Sequence, residues 1–381
     1  MDYDIALMPG DGIGPEVIGQ AVRVLEAAAS VHGFRLKFAT YPFGAAYYLR
    51  HKQVLPPGAF DELGAAQALL LGAVGDPRVP PGPLEQELLL ALRFHFDQYL
   101  NLRPARSLPR VPVPVALPAG RVLDAVVVRE NTEDFYMGLG GRGQGRLAQD
   151  LEANRGLYRF KGRLEGAFEA DDEGREVEAA FSLGLLTAPA VARITRKAFE
   201  LARARGENVV HSATKANALP HYYGFWDVQT ARAAAEFPDV KLAPMNVDNL
   251  CYQLPRTPQD FGVILCPNLF GDIVSDLLSA LAGGLGLAAS ANVGDSLSMF
   301  EPVHGSAPDI AGTGRANPLA AILSGAMLLD HLGQAEAAEA VRRAAAAFLA
   351  AGRDLPFELG GQAPTETVGR LTAETLLTTG R

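Results

Sequence analysis

Residues 5–25 read IALMPGDGIGPEVIGQAVRVL. An apolar run, Ile5 to Met8, meets a glycine turn at 10–14, and Pro15 then opens a helix that turns Val17, Ile18, Val22 and Leu25 inward. Proline suits a first helical turn because the N–H it lacks would find no intrahelical partner there. Strand, glycine turn and helix in this order is the unit from which α/β folds with parallel sheets are assembled. The turn GDGIG is not the GxGxxG fingerprint, and no acidic residue follows at the spacing of about 20 that the fingerprint requires, so a dinucleotide-binding fold of that type is excluded.

Outward from this unit the alternation continues. Ala68 to Leu71 forms a second strand ending in a glycine turn, GAVGD. Leu123 to Val128, Asn208 to His211 and Val263 to Cys266 read as buried strands, and Ala188 to Arg205 as a helix. The C-terminal part, Asn317 to Leu349 with a break near Gly333 and then Thr365 to Thr379, is alanine-rich and helical. The segment LRPARSLPRVPVPVALPAG at 102–120 follows a helix expected to end near Asn101, and its prolines predict extended chain crossing between lobes. Residues 138–183, rich in Gly and charge, predict an exposed arm with hairpin character and a role as an oligomer clasp.

At 381 residues the chain exceeds what one core usually supports, so two lobes are expected. A net charge of −9 without basic clusters argues against nucleic-acid and anionic-membrane partners. Only Cys251 and Cys266 occur, and no CxxC spacing, so neither a disulfide framework nor a zinc site is expected and a cytoplasmic location fits. The first residues lack the basic and apolar regions of a secretion signal.

Two stretches carry chemistry. Leu265 to Gly283, LCPNLFGDIVSDLLSALAG, is a nearly apolar helix pattern with Asp272 and Asp276 one turn apart on one face. Either both carboxylates face water, or they are buried against a cation, for which oxygen ligands suit Mg²⁺ or Mn²⁺. Phe300 to Gly312, FEPVHGSAPDIAG, is a Pro- and Gly-rich loop between apolar segments.

Seven ordered motifs then resemble the β-decarboxylating dehydrogenase family, which includes the isocitrate, homoisocitrate, 3-isopropylmalate and tartrate/D-malate dehydrogenases: MPGDGIGPEV (8–17), LRFHFDQYLNLRP (92–104), VVRENTEDFY (127–136), ATKAN (213–217), NVDNLC (246–251), NLFGDIVSD (268–276) and EPVHGSAPDIAG (301–312). The resemblance spans nearly the whole chain. It implies a two-lobed isopropylmalate dehydrogenase-like α/β fold with a largely parallel central sheet flanked by helices. Residues 1–101 and 255–381 would form the cofactor lobe, and 102–254 the substrate and dimerisation lobe.

The resemblance also assigns roles. Asp272 and Asp276 would be metal ligands with Asp248 of a neighbouring subunit, Lys215 the base for the substrate hydroxyl, and Tyr136 the acid that protonates the enolate after CO₂ leaves. Arg93, Arg103 and Arg129 match a clamp for substrate carboxylates, which guanidinium forks bind bidentately. His304, Gly305, Ser306, Ala307, Pro308, Asp309, Ile310 and Asn317 would hold the adenosine end of the cofactor. A carboxylate at Asp309 would accept from ribose hydroxyls and repel a 2′-phosphate, which favours NAD. The implied assembly is a homodimer with shared active sites, acting on a small hydroxy-dicarboxylate.

Substrate choice turns on PLEQELLLALR at 83–93. Isocitrate users place a serine six residues before the arginine and an asparagine four before, where this chain has Glu87 and Leu89, so isocitrate is disfavoured. Leu89 and Leu90 offer an apolar wall for an isopropyl group, or merely pack the helix. FDQYLNLRP and RENTEDFY lean to D-malate/tartrate, with 3-isopropylmalate as the alternative, homoisocitrate or isocitrate below them, and a non-catalytic regulatory subunit last.

Overall fold

The opening stretch forms the unit expected of it. In the computed structural model, which describes residues 1–169 and 173–379, β1 (Asp2–Gly10) passes through the glycine turn into α1 (Gly14–His32). Residues 170–172 of the expected arm, and 380–381, lie outside the described residues. Val17, Ile18 and Leu25 are buried as expected, with Ala21, Val24 and Ala28 completing the face and Val22 at its rim. β2 (Arg35–Thr40) and β3 (Ala68–Ala73) flank β1 in parallel, and α2 (Ala45–His51) and α3 (Ala59–Gly64) connect them. All six residues of β3 are buried, the mark of a strand covered on both faces.

One helical segment follows, a π-helical turn at Glu85–Leu90 continued by α4 (Ala91–His95). It stops before Asn101, because β4 (Leu100–Arg106) begins there. The proline-rich stretch therefore starts as a sheet strand and not as a crossing. Pro104 is tolerated because β13 (Ala289–Val293) pairs β4 only at Leu100–Leu102; opposite Pro104 the strand is paired on one side alone, to β5 (Asp124–Glu130).

The arm is a four-stranded antiparallel sheet of β6 (Gly140–Gln144), β7 (Arg146–Arg155), β8 (Tyr158–Ala167) and β9 (Glu178–Ser182), in the order β8-β7-β6-β9. It has a small core of its own at Met137, Leu139, Leu151 and Ala153. Beyond it come α5 (Ala188–Ala204), β10 (Val209–Thr214), α6 (Tyr223–Ala234), β11 (Lys241–Asn246), α7 (Val247–Gln253), β12 (Val263–Cys266) and α8 (Asn268–Ala282). After β13 the chain closes with β14 (Ser298–Pro302), α9 (Leu319–His331), α10 (Ala335–Ala351) and α11 (Thr365–Thr379).

Ten strands make one sheet, in the order β11-β10-β12-β5-β4-β13-β14-β3-β1-β2. Its outer blocks are parallel, and the antiparallel pairings β5–β4, β4–β13 and β13–β14 make the two blocks run in opposite directions. One main core packs α1, α9, α10 and α11 on the β1–β3 block. A second gathers β5, β10 and β12 with α5, α6 and α8, so β12 and α8 pack with the 102–254 segment although the sequence division drew its boundary at 254. Among the described residues no helix is long and apolar enough to cross a membrane.

Candidate active site

β5 ends at a run of buried polar residues: Arg129, Glu130, Asn131, Thr132, Glu133 and Asp134 are each at most 1% exposed. Buried charges require partners. Glu130 accepts from the Thr132 N–H and hydroxyl and from the Glu133 N–H. Glu133 accepts from the N–H and hydroxyl of Thr187, the residue that caps α5. Burial, with Glu130 close by, pushes the Glu133 carboxyl up to about 7. Asp134, at φ 67°, accepts from the Tyr222 hydroxyl and from the Leu269 N–H at the start of α8, both at 2.7 Å. Asn268 accepts from Arg129 Nε (2.9 Å) and donates to the Glu133 carbonyl (3.0 Å). This loop thus sets the position of α8.

On α8, Asp272 and Asp276 share a face as expected, but that face is not buried: their side chains are 37% and 58% exposed, and Ile273 beside them is 54% exposed. Of the two readings the sequence left open, a single copy of the chain shows the partly exposed one, with a stripe of the helix open at Ile273 and Asp276. Arg129 Nη1 and Arg103 Nη1 reach Asp272 Oδ1 at 2.5 and 3.2 Å, and the Tyr136 hydroxyl donates to Asp272 Oδ2 at 2.7 Å. Burial by itself would raise the Asp272 pKa, but Arg129, Arg103 and the Tyr136 hydrogen bond outweigh it and the net shift is downward. Burial, reinforced by the Asp272 charge, raises Asp276 despite the opposing pull of Arg103, 3.5 Å away, and of Arg129. Burial and the bond to Asp272 raise the Tyr136 phenol, so it stays protonated.

The three arginines converge. Arg129, lowered to about 10 by burial, also feels repulsion from Arg103 and Arg93. Arg103 is anchored on Ser275 Oγ at 2.8 Å. Arg93 is buried and paired with Glu301 at 3.0 Å, a carboxylate that also takes the Asn292 amide. Leu89 and Leu90 lie half-buried in the π-helical turn ahead of it.

Lys215 and Asp248 lie apart from this cluster. Lys215 follows β10, Asp248 opens α7, and the two pair at 2.7 Å, which holds the Asp248 carboxyl below its usual range. Among the described residues no three metal-ligating side chains gather in one place. Asp272 and Asp276 present their carboxylates together on one face of α8.

The cofactor candidates follow β14. Gly12, at φ +56°, allows the 304–310 loop to press on the first glycine turn: a Cβ there would lie 2.0 Å from the Ser306 carbonyl, which also accepts from the Ile13 N–H at 2.9 Å. Asp11 ties the N–H groups of Ala45 and Gly75 to the same turn. Gly305, Pro308 and Asp309 are exposed, Ser306 is buried, Ala307 and Ile310 pack against the core, and His304 has a buried Nε2 without a hydrogen-bond partner. The Asn317 side chain is committed to Glu358 (2.9 Å) and the Leu319 N–H. The sequence reading missed Glu301, Asn268, Ser275 and Asp134 as supports of the site. All four lie inside the quoted motifs, and nothing in the spacing alone separates a support from a ligand.

An α/β oxidoreductase of the decarboxylating dehydrogenase class accounts for this fold and its conjunction of acids, arginines and a half-buried tyrosine. The profile of the isocitrate/isopropylmalate dehydrogenase family matches residues 4–372, and the chain belongs to that family. It is 42% identical over 345 residues to the 3-isopropylmalate dehydrogenase of Thermobifida fusca, covering 90% of each chain, and 45% identical over 354 residues to that of Clavibacter sepedonicus, covering 91% of each. Isocitrate dehydrogenase from Methylococcus capsulatus superposes with a TM-score of 0.82 at 32% identity, covering 98% of this chain and 99% of that one. A β-decarboxylating dehydrogenase from Thermococcus kodakarensis gives 0.73 at 36% identity, covering 98% and 96%.

Proposed function

We propose that this chain oxidises and decarboxylates 3-isopropylmalate, with NAD as hydride acceptor and Mg²⁺ or Mn²⁺ bound, as a homodimer whose two sites are shared. The relatives named above support 3-isopropylmalate, the alternative of the sequence reading; its preference for D-malate/tartrate finds no such support.

One observation carries the proposal. Arg93, Arg103 and Arg129 are matched in one chain by Glu301, Asp272 and Asp276, so the cluster is already neutral. A dicarboxylate entering it brings two negative charges, and a divalent cation on Asp272 and Asp276 offsets them; partly exposed carboxylate oxygens fit a hard cation. Such a cation, when bound, would supply Lewis-acid stabilisation of the enolate. Asp248 of a second copy would complete the ligand set, and because Lys215 is bonded to Asp248 it would arrive with it.

The arginines then fix the substrate carboxylates. Lys215 Nζ would take the hydroxyl proton, and the Tyr136 hydroxyl would protonate C3 once the β-carboxylate has left as CO₂; bound NAD would supply the hydride acceptor. Leu89 and Leu90 would contact the isopropyl group. Asp309, exposed within the glycine-braced loop, would select NAD by accepting from its ribose. The test is NADH formation by purified protein with Mn²⁺ and, separately, 3-isopropylmalate, D-malate, tartrate, isocitrate and homoisocitrate. Greatest kcat/KM on 3-isopropylmalate is expected; a higher value on D-malate would restore the other reading.

A further inference from the structure

The arm is not a free appendage. The turn between β7 and β8, Arg155 to Tyr158, folds back onto the substrate side of the same chain, and Arg155 is its centre. Arg155 Nε donates to the Thr132 carbonyl at 2.7 Å, Nη2 to the Met137 carbonyl at 3.3 Å, and Nη1 to the adjacent Asn154 carbonyl at 2.8 Å. Its guanidinium carbon lies 3.6 Å from the centre of the Phe94 ring. Gly156 rests on Asp97, where a Cβ would come within 2.5 Å of the carboxylate. Asp97 in turn holds Arg193 through both oxygens, at 2.6 and 2.9 Å, and Arg193 reaches the Thr132 hydroxyl at 3.3 Å. The Tyr158 phenol faces the Glu133 carboxylate and lies 3.9 Å from Met137 Sδ.

Apart from the adjacent Asn154, each of these partners of Arg155 lies close in sequence to a residue assigned to the site. Phe94 adjoins Arg93, Met137 adjoins Tyr136, and Thr132 lies on the loop between Arg129 and Tyr136. A planar guanidinium can bond two separate carbonyls while stacking on a ring, which a lysine ammonium cannot. Burial lowers the Arg155 pKa, and Tyr158, Glu130, Glu133 and Asp97 work against that, so the cation is held in place by the acids around it.

We infer that Arg155 is a positioning residue: from the arm tip it fixes the helix carrying Arg93 against the loop carrying Tyr136, and so sets the grip on the substrate and the reach of the acid to C3. The inference rests on the proposed reading in which Arg93 and Tyr136 face a hydroxy-dicarboxylate.

The experiment compares full-length wild type with Arg155→Met, Arg155→Lys and Tyr158→Phe, measuring KM for 3-isopropylmalate and for NAD, kcat, and the solvent deuterium isotope effect on kcat. Arg155→Met should raise the hydroxy-acid KM about tenfold, the worth of one charge-assisted hydrogen bond. It should also enlarge the isotope effect, because protonation at C3 slows, while leaving the NAD KM unchanged. Arg155→Lys should fall between the two, keeping charge but not the fork. An unchanged KM and isotope effect in Arg155→Met, or an NAD KM that moves in parallel, overturns the positioning role. Should Arg155→Met not fold, folded Tyr158→Phe decides, with a smaller shift of the same kind expected and no shift overturning. Wild type inactive on every hydroxy acid of the panel would sink the functional reading and this role with it; turnover with unshifted variants sinks this role alone.

Discussion

Replacing Gly12 and Gly19 by alanine, one at a time, should push the protein in opposite directions although the sites lie seven residues apart. At Gly12 φ is +56°, and an L side chain in the left-handed region costs about 1–2 kcal/mol. The new Cβ would also fall 2.0 Å from the Ser306 carbonyl oxygen and 2.8 Å from its carbon, both backbone atoms, so the 304–310 loop must retreat. Retreat breaks the Ile13 N–H bond to Ser306, worth about 0.5–1.5 kcal/mol net. The sum is a loss of roughly 1.5–3.5 kcal/mol, and it falls on the loop proposed to carry adenosine. At Gly19 the site is the open face of α1, with nothing within 4 Å of the built Cβ, so alanine should stabilise by about 0.5–1 kcal/mol through helix propensity. Urea unfolding and NAD titration read both effects. Gly19→Ala should shift the midpoint upward and bind NAD normally; Gly12→Ala should shift it downward and bind NAD at least about tenfold more weakly. Midpoints that move together, or wild-type NAD affinity in Gly12→Ala, would refute the claim that the glycine turn braces the cofactor loop.

Three further outcomes are expected. Lys215→Met should lower kcat by about 10²–10⁴, and a fully active Lys215→Arg would show that the residue only neutralises Asp248. Asp276→Asn should raise the Mn²⁺ concentration needed for half-maximal activity while leaving the unfolding midpoint in place, since this carboxylate is more than half exposed; unaltered metal dependence would remove it from the ligand set. Glu133 is raised from 4.5 to about 7 by burial and by Glu130, so between these values the folded chain binds a proton that the unfolded chain has released. Its contribution to stability is thus full below about pH 4.5 and is lost as pH rises through 7. Glu133→Gln should flatten that decline in denaturation measured from pH 5 to 8, and an identical slope in both proteins would contradict the assignment.

Much of the fold was legible because its signals are local. The buried run Val263–Cys266 and the helix Thr365–Thr379 fall where their apolar patterns placed them, and the alanine-rich C-terminus breaks where Gly333 interrupts it. Pro104 misled, since a proline's effect on a sheet depends on which neighbour faces its missing donor, and that is a matter of register between distant strands. The Asp272 and Asp276 pair was legible as a pair, but its exposure was not: cover on α8 depends on what packs across Ile273 and Asp276, and helical spacing is silent about that.

By itself the sequence determined the α/β alternation, the family, and the candidate residues at fixed spacings along the chain. Tertiary structure decided how they are divided. It brought Arg93, Arg103, Arg129, Tyr136, Asp272 and Asp276 to one place, bonded Lys215 to Asp248 in another, and folded the arm tip onto Thr132 and Met137. The physical reason is range. Periodicity and turn chemistry act over a few residues, whereas Asp272 meets Tyr136 and Arg129 only through packing between elements more than a hundred residues apart in the chain.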